Sequence, residues 1–151
     1  MENLLNIWDF KKAAKKKLED HAYDYLVGGA DDLRTFNRNI EAYQHFQIRP
    51  RRLVNVTQID TSINLLGKKY HSPIILAPVG FQQLFHPDGE IPAVKAAEVG
   101  RPYIYGLATG GQAGVERVLE ILQTELVRNM QLAGVTSIGK LNKKFIREKR
   151  F

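Results

Sequence analysis

"VKAAEVGRPYIYG", residues 94–106, decides how much of a fold this chain can complete. Its first half continues the apolar spacing of an amphipathic helix. Its second half sets Gly100, Arg101 and Pro102 directly in front of a short apolar run, with no linker between. A glycine amide beside a guanidinium makes a good clamp for an anion such as phosphate. Simple turn geometry uses the same residues, so the pair alone leaves both readings open.

Just upstream, "PIILAPVG" (73–80) is a near-continuous apolar run ending in Pro78 and Gly80, which predicts a strand buried on both faces, as in a parallel sheet. Ligands in α/β folds face the C-terminal ends of such strands, so Pro78, Val79 and Gly80 are candidate site residues. Gly80 would let a cofactor approach the backbone closely. "HPDGE" (86–90) reads as a turn whose Asp88 caps a helix over about 89–98, with Ile91, Val94 and Ala97 inward. Downstream, Gly110-Gly111 and Gly114 precede the longest helix. Its apolar stripe is Val115, Val118, Leu119, Leu122, Leu126 and Met130, and Gly134 closes it. Ser137 caps a predicted last helix carrying Ile138, Leu141 and Phe145.

Toward the N-terminus, residues 7–27 read as one helix with Leu18, Ala22, Tyr25 and Leu26 on a face, ended by Gly28-Gly29. Asp31 is the expected cap of a second helix with Leu33, Phe36, Ile40 and Tyr43 in a stripe, stopping before Pro50. "FQIRP" and "RLVNVTQI" read as short strands, and "TSINLLGKKYHSP" as a hairpin turning at Gly67-Lys68. A strand followed by a helix, with helices on either side, predicts an α/β chain.

The 151 residues amount to one domain by length, with 44% apolar and 25% charged content, typical of a globular protein. No apolar run reaches membrane-spanning length, and no secretory leader pattern opens the chain. Cysteine is absent, which removes disulfides and thiol catalysis and fits a cytoplasmic setting. The net charge of +6 comes from Lys11, Lys12, Lys15, Lys16 and Lys17 and from a C-terminal run including Lys140, Lys143, Lys144, Arg147, Lys149 and Arg150. Lacking interleaved aromatic residues, these runs read as solvated helix faces and not as a nucleic-acid footprint. His21, His45 and His71 have no second ligand at metal spacing, and His86 before Pro87 suits a bond to local backbone. No metal, thiol-pair, nucleophile-elbow or P-loop motif occurs, and Gly110-Gly111-Gln112-Ala113-Gly114 lacks the spacing of a dinucleotide loop.

Four stretches taken together, "YDYLVGGADDLRTFNRN", "RPRRLVNV", "INLLGKKYHSPIILAPVG" and "HPDGE", resemble the N-terminal part of the FMN-dependent 2-hydroxy-acid oxidases and dehydrogenases. This is the family of glycolate oxidase, lactate oxidase, lactate monooxygenase and flavocytochrome b2. The resemblance covers about residues 5–98. "VGRPYIYGLATGGQAGVERVLEILQTELVRNMQLAGVTSI" resembles a different part of the family: the exit of the eighth barrel strand, the eighth helix and the tail. The resemblance therefore implies a single truncated domain, residues 1–98 and 99–151 matching the two ends of a (β/α)8 barrel whose middle is missing.

Length agrees independently, since a closed eightfold barrel takes roughly 250 residues and only residues 74–151 remain from the first barrel strand onward. The implied cofactor is FMN and the implied substrate a small 2-hydroxy acid. By the resemblance, Tyr25 contacts the substrate carboxylate; Pro78, Val79 and Gly80 run along the flavin; Gly100 and Arg101 clamp its phosphate. The family's catalytic histidine stands in a Ser-Asn-His-Gly context, and none of His21, His45, His71 or His86 precedes a glycine. Its neighbouring arginine, the flavin lysine and the Asp-Gly-Gly segment have no counterpart either. With so little of the eighth strand kept before Gly100, the clamp is not expected to sit beside Gly80. The reading is an inactive remnant of a flavoenzyme; the alternative is a non-catalytic protein that associates with itself or a full-length relative, burying strand edges left open.

Overall fold

In the computed structural model, residues 3–75, 77–95 and 102–149 are described. The chain forms two compact units: residues up to Val27 with Ile74–Thr124, and Gly28–Pro73 with the residues from Glu125 onward.

The first unit opens with α1, Ile7–Lys17, capped by Asn6, whose side chain accepts from the Asp9 amide at 3.0 Å. The expected single helix over 7–27 is in fact two. Leu18 is extended and closes α1, and α2 restarts at Asp20–Val27. The predicted face holds across the break, with Ala22 buried and Leu18 and Leu26 packed on the core. α4 covers Glu90–Lys95. Its inward face is Pro92 and Ala93, while Ile91 and Val94, expected inward, are exposed; Ala97 lies outside the described residues.

The long segment α5, Pro102–Ala133, is two helices joined at Gly110 and Gly111, where the backbone leaves helical geometry (φ −161° and +56°). Its proline stands in the first turn, where a missing N–H costs nothing. The apolar run after Arg101 is thus helical, and Tyr103, Ile104 and Leu107 are buried. Past the break the predicted stripe is in place, with Val115 and Val118 fully buried. The two helices meet at Gly106 and Gly114 so closely that a Cβ on either would collide with the other's carbonyl. Around this crossing pack Ala14, Phe85, Ala93, Tyr103, Ile104, Leu107 and Val115, and beside them Phe10, Val118 and Ile121. Lys17 Nζ donates to the Thr109 carbonyl, satisfying a last-turn acceptor just before the break.

The predicted strand at 74–79 does not form: none of its described residues is in a strand, and Ile75, Ala77 and Pro78 are exposed. A central strand exists only with ladder partners on both sides, and neither described sheet includes this stretch.

In the second unit, Asp31 does not cap a helix. Asp31 and Leu33 both take left-handed backbone (φ 47° and 57°), and α3 begins after them, Arg34–Glu41. Of its expected stripe, Ile40 and Tyr43 are exposed. β1, Phe46–Ile48, pairs antiparallel with β4, Ile146–Glu148, in the register Phe46 to Glu148, Gln47 to Arg147 and Ile48 to Ile146. The expected last helix is therefore wrong: Ile138–Lys140 and Lys143–Phe145 are single 3₁₀ turns leading into β4. The hairpin is present as β2, Ile63–Leu65, and β3, Lys68–Tyr70. It turns one residue early, at Leu66-Gly67, where both have positive φ.

"RLVNVTQI" forms no strand of its own and is tied to the end of α5: the Arg51 amide donates to the Leu132 carbonyl at 3.0 Å and the Asp60 amide to the Thr136 carbonyl at 2.8 Å. Gly134 (φ 64°) ends α5 as expected. The core here is Met130, Ala133 and Val135 with Ile59, Ile138 and Phe145.

Two outcomes follow from the first unit. Gly114→Ala forces the glycine crossing apart, and overpacking of this kind costs about 1–3 kcal/mol. Thermal melting should show a midpoint several degrees lower, while Gly139→Ala, where a Cβ meets nothing within 4 Å, should leave it unchanged. Burial pushes the Tyr103 phenol above its ordinary 10.0, and the Glu90 carboxylate adds to the shift. The folded state then holds a proton that the unfolded chain releases, so this contribution is intact below pH 10 and is lost as pH rises beyond it. Denaturant unfolding between about pH 9 and 11 should show stability falling with pH, and less steeply in Tyr103→Phe.

Candidate functional site

Of the residues singled out from sequence, Tyr25 and the Pro78-Val79-Gly80 stretch belong to the same unit. Tyr25 lies on α2, half exposed. Its ring meets Phe81 edge-on, centroids 6.0 Å apart, and stacks on Phe85 at 6.2 Å. The residue that follows Gly80 is therefore in contact with Tyr25. Phe85 is buried and fixes one side of the tyrosine; Phe81 is exposed and forms the other.

Phe81 has φ 57°, a left-handed conformation that a bulky residue rarely takes. The segment around it is fastened by Gln82. This side chain is buried, and its Nε2 donates to the Val79 carbonyl at 3.2 Å. Its Oε1 is buried with no partner. Val79 packs on the core, while Pro78 and Gly80 remain exposed. Neither Phe81 nor Gln82 is legible as a site residue in the sequence. "FQQLF" reads as an ordinary amphiphilic turn, and only the backbone strain and the orphaned amide oxygen mark it.

A Cβ at Gly80 would meet no protein atom within 4 Å, so the space over this glycine is open. The backbone at 78–80 runs over open surface. Gly100 and Arg101, the expected phosphate clamp, lie outside the described residues. What remains is one aromatic edge, Tyr25 with Phe81, beside a braced turn.

The histidines fill structural places. His86 Nδ1 accepts from the Asp88 amide at 3.2 Å, and its ring lies against Gly111, where a Cβ would come within 2.9 Å of Nε2. The local backbone bond expected for this turn is thus present. His21 Nδ1 is 3.4 Å from Glu19 on the surface. The His71 carbonyl accepts from the Thr61 hydroxyl at 2.8 Å, and that of His45 from the Lys149 amide at 2.7 Å. Among the described residues, no three His, Cys, Asp or Glu side chains gather as a metal site, and no helix is long and apolar enough to cross a membrane.

The sequence profile of the FMN-dependent dehydrogenase family matches in two blocks, residues 14–99 and 94–148. A peroxisomal (S)-2-hydroxy-acid oxidase of Oryza sativa subsp. indica is 47% identical over 93 residues, covering 62% of this chain and 25% of the relative. Glycolate oxidase 1 of Zea mays is 37% identical over 118 residues, covering 78% and 32%. Glycolate oxidase 3 of Oryza sativa subsp. indica is 32% identical over 155 residues, covering 92% and 42%. The chain thus spans between a quarter and two fifths of the length of these relatives.

Among solved structures, a variant of the active chimera of (S)-mandelate dehydrogenase matches with a TM-score of 0.93 at 14% identity, over 97% of this chain and 100% of that one. A mandelate oxidase matches with a TM-score of 0.89 at 16% identity, over 97% and 100%. These likenesses establish the fold. With the profile matched along most of its length, the chain belongs to the FMN-dependent dehydrogenase family.

Proposed function

We propose that the chain is an internally shortened member of this family. Its full-length relatives would oxidise a small (S)-2-hydroxy acid, such as lactate or glycolate, to the 2-oxo acid through FMN. This chain itself would not turn over. The observation that carries the reading is the two-block profile match: the blocks overlap at residues 94–99, directly before Gly100-Arg101 in the sequence. The protein part of a flavoenzyme supplies orientation, acid-base groups and electrostatics. Tyr25 and the braced turn at 78–82 offer some orientation. No histidine stands in the expected catalytic context; the His86 ring accepts from the Asp88 amide and the His21 ring faces Glu19. The proposal includes the cytoplasm as the site of the protein.

Purified chain supplied with FMN should oxidise lactate and glycolate no faster than free FMN does. Loss of a general base and of a carboxylate-binding arginine each removes orders of magnitude. A flavin titration should show weak binding at best, changed little by Arg101→Ala. Steady turnover, or tight binding that Arg101→Ala abolishes, would overturn the reading.

A second reading is favoured by the apolar surface of the first unit. Ile75, Phe81, Ile91 and Val94 are between 58% and 73% exposed. Exposed apolar side chains in this number suit an association surface, either for a second copy or for a full-length relative. Light scattering at micromolar concentration should report a mass above the 17.2 kDa of one chain. A monodisperse species at that mass would contradict self-association.

A further inference from the structure

Residues 28–73 and 125–151 hold fourteen Lys and Arg against six Asp and Glu, whereas the rest of the chain holds eight against ten. The net positive charge therefore belongs to one unit, and strand pairing concentrates its cations further. β1 runs on into Arg49, Arg51 and Arg52; β4 follows Lys143 and Lys144 and contains Arg147. The register sets Gln47 opposite Arg147, and the Arg49 amide donates to the Phe145 carbonyl at 2.8 Å. Arg147 thus lies in the ribbon, while Arg49, Arg51 and Arg52 follow one strand and Lys143 and Lys144 precede the other, about a hundred residues apart in sequence and all exposed. Arg147 is spread on the Gln47 amide oxygen at 2.9 and 3.1 Å, and Arg51 lies 5.6 Å from the Phe145 ring centroid. These neutral partners orient the guanidinium groups without cancelling their charge. Among the described residues, none of the six is in an ion pair. Glu148, in β4, is an acidic side chain of the same ribbon.

Beside these cations stands Leu53, fully exposed at 106% and held in left-handed backbone at φ 60°. Its loop is anchored from behind. The Arg51 amide donates to the Leu132 carbonyl, and a Cβ on Gly134 would come within 3.0 Å of both Arg51 Cβ and Val54 Cγ2. An apolar side chain is thus held in water by a braced, strained loop with arginines on its flank. Leu132 is half exposed; Phe46, Ile48 and Ile146, with Glu148, share one exposed face of the ribbon, and Gln47 and Arg147 lie on the other.

We propose that this unit docks on an anionic lipid surface, with Leu53 entering the interface and Arg49, Arg51, Arg52, Lys143, Lys144 and Arg147 lying on the headgroups. A fluid bilayer accepts an aliphatic side chain without a shaped pocket, and its negative surface attracts clustered cations. A nucleic acid would satisfy the same cations but leave Leu53 in water. The proposal is independent of any flavin chemistry.

The test is sedimentation of the whole chain with phosphatidylcholine vesicles, with and without about one part in four phosphatidylserine. Binding is expected only to the anionic vesicles, weakening as salt rises. Leu53→Asp should lower the affinity by about tenfold or more, and Arg52→Gln by about fivefold. Leu53 is fully exposed, so the fold should survive both changes, as circular dichroism will verify. Leu53→Trp combined with Trp8→Phe reads insertion directly, as a blue shift of emission on vesicle addition. Failure to bind would overturn the proposal. So would binding that Leu53→Asp leaves intact, or an unshifted emission.

Discussion

The contact on which the first unit depends is backbone against backbone, Gly106 to Gly114, with no side chain between. Two helices can approach this closely only where both lack a Cβ, and two helices consecutive in sequence can fold back only where the chain turns sharply. Gly110 and Gly111 supply that turn, the second at a positive φ that other residues adopt at a cost. The four glycines act as a set. Given the crossing, Tyr103, Ile104 and Leu107 on one helix and Val115 and Val118 on the other face a shared interior, and Phe85, Ala14 and Ala93 close it. His86 lies against Gly111, so the turn that precedes α4 is registered on the same break.

What the sequence shows of this fold depends on how local each element is. The stripe from Val115 to Met130 and its stop at Gly134 are legible because helical periodicity and a left-handed cap need only neighbouring residues. The β2–β3 hairpin is legible for the same reason, and the turn is misplaced by only one residue. Residues 74–79 and 146–148 are misread in opposite directions, from a single cause. An apolar run becomes a strand only if a partner is available. "PIILAPVG" lies in neither described sheet, whereas Ile146–Glu148, next to the expected last helix of Ile138, Leu141 and Phe145, pairs with Phe46–Ile48 about a hundred residues away. Asp31 fails as a cap because Leu33 takes the left-handed conformation and α3 starts beyond it.

The candidate site divides along the same line. Tyr25 and Pro78-Val79-Gly80 are identified by resemblance, and the structure brings Tyr25 against the residue after Gly80. The bracing elements, Phe81 in strained backbone and Gln82 on the Val79 carbonyl, are set by tertiary packing and leave no local pattern. Gly80 is of the residue type that permits close approach, and no protein atom lies within 4 Å of where a Cβ would stand.

Charge follows the same logic. In the sequence, the C-terminal basic run and "RPRR" at 49–52 are separate, and the run alone reads as a solvated face. Pairing β1 with β4 joins them, since Arg49, Arg51 and Arg52 follow Ile48, and Lys143 and Lys144 precede Ile146, its register partner. Like charges so close repel one another, and exposed ones a Debye length apart would be largely screened. A neutral acceptor, Gln47, orients Arg147 without offsetting its charge. A fold that gathers cations with so few carboxylates among them, and exposes Leu53 beside them on a fixed loop, loses some stability at that surface relative to a mixed-charge one. An anionic, apolar-tolerant surface is the kind of partner that relieves both the repulsion and the exposure at once.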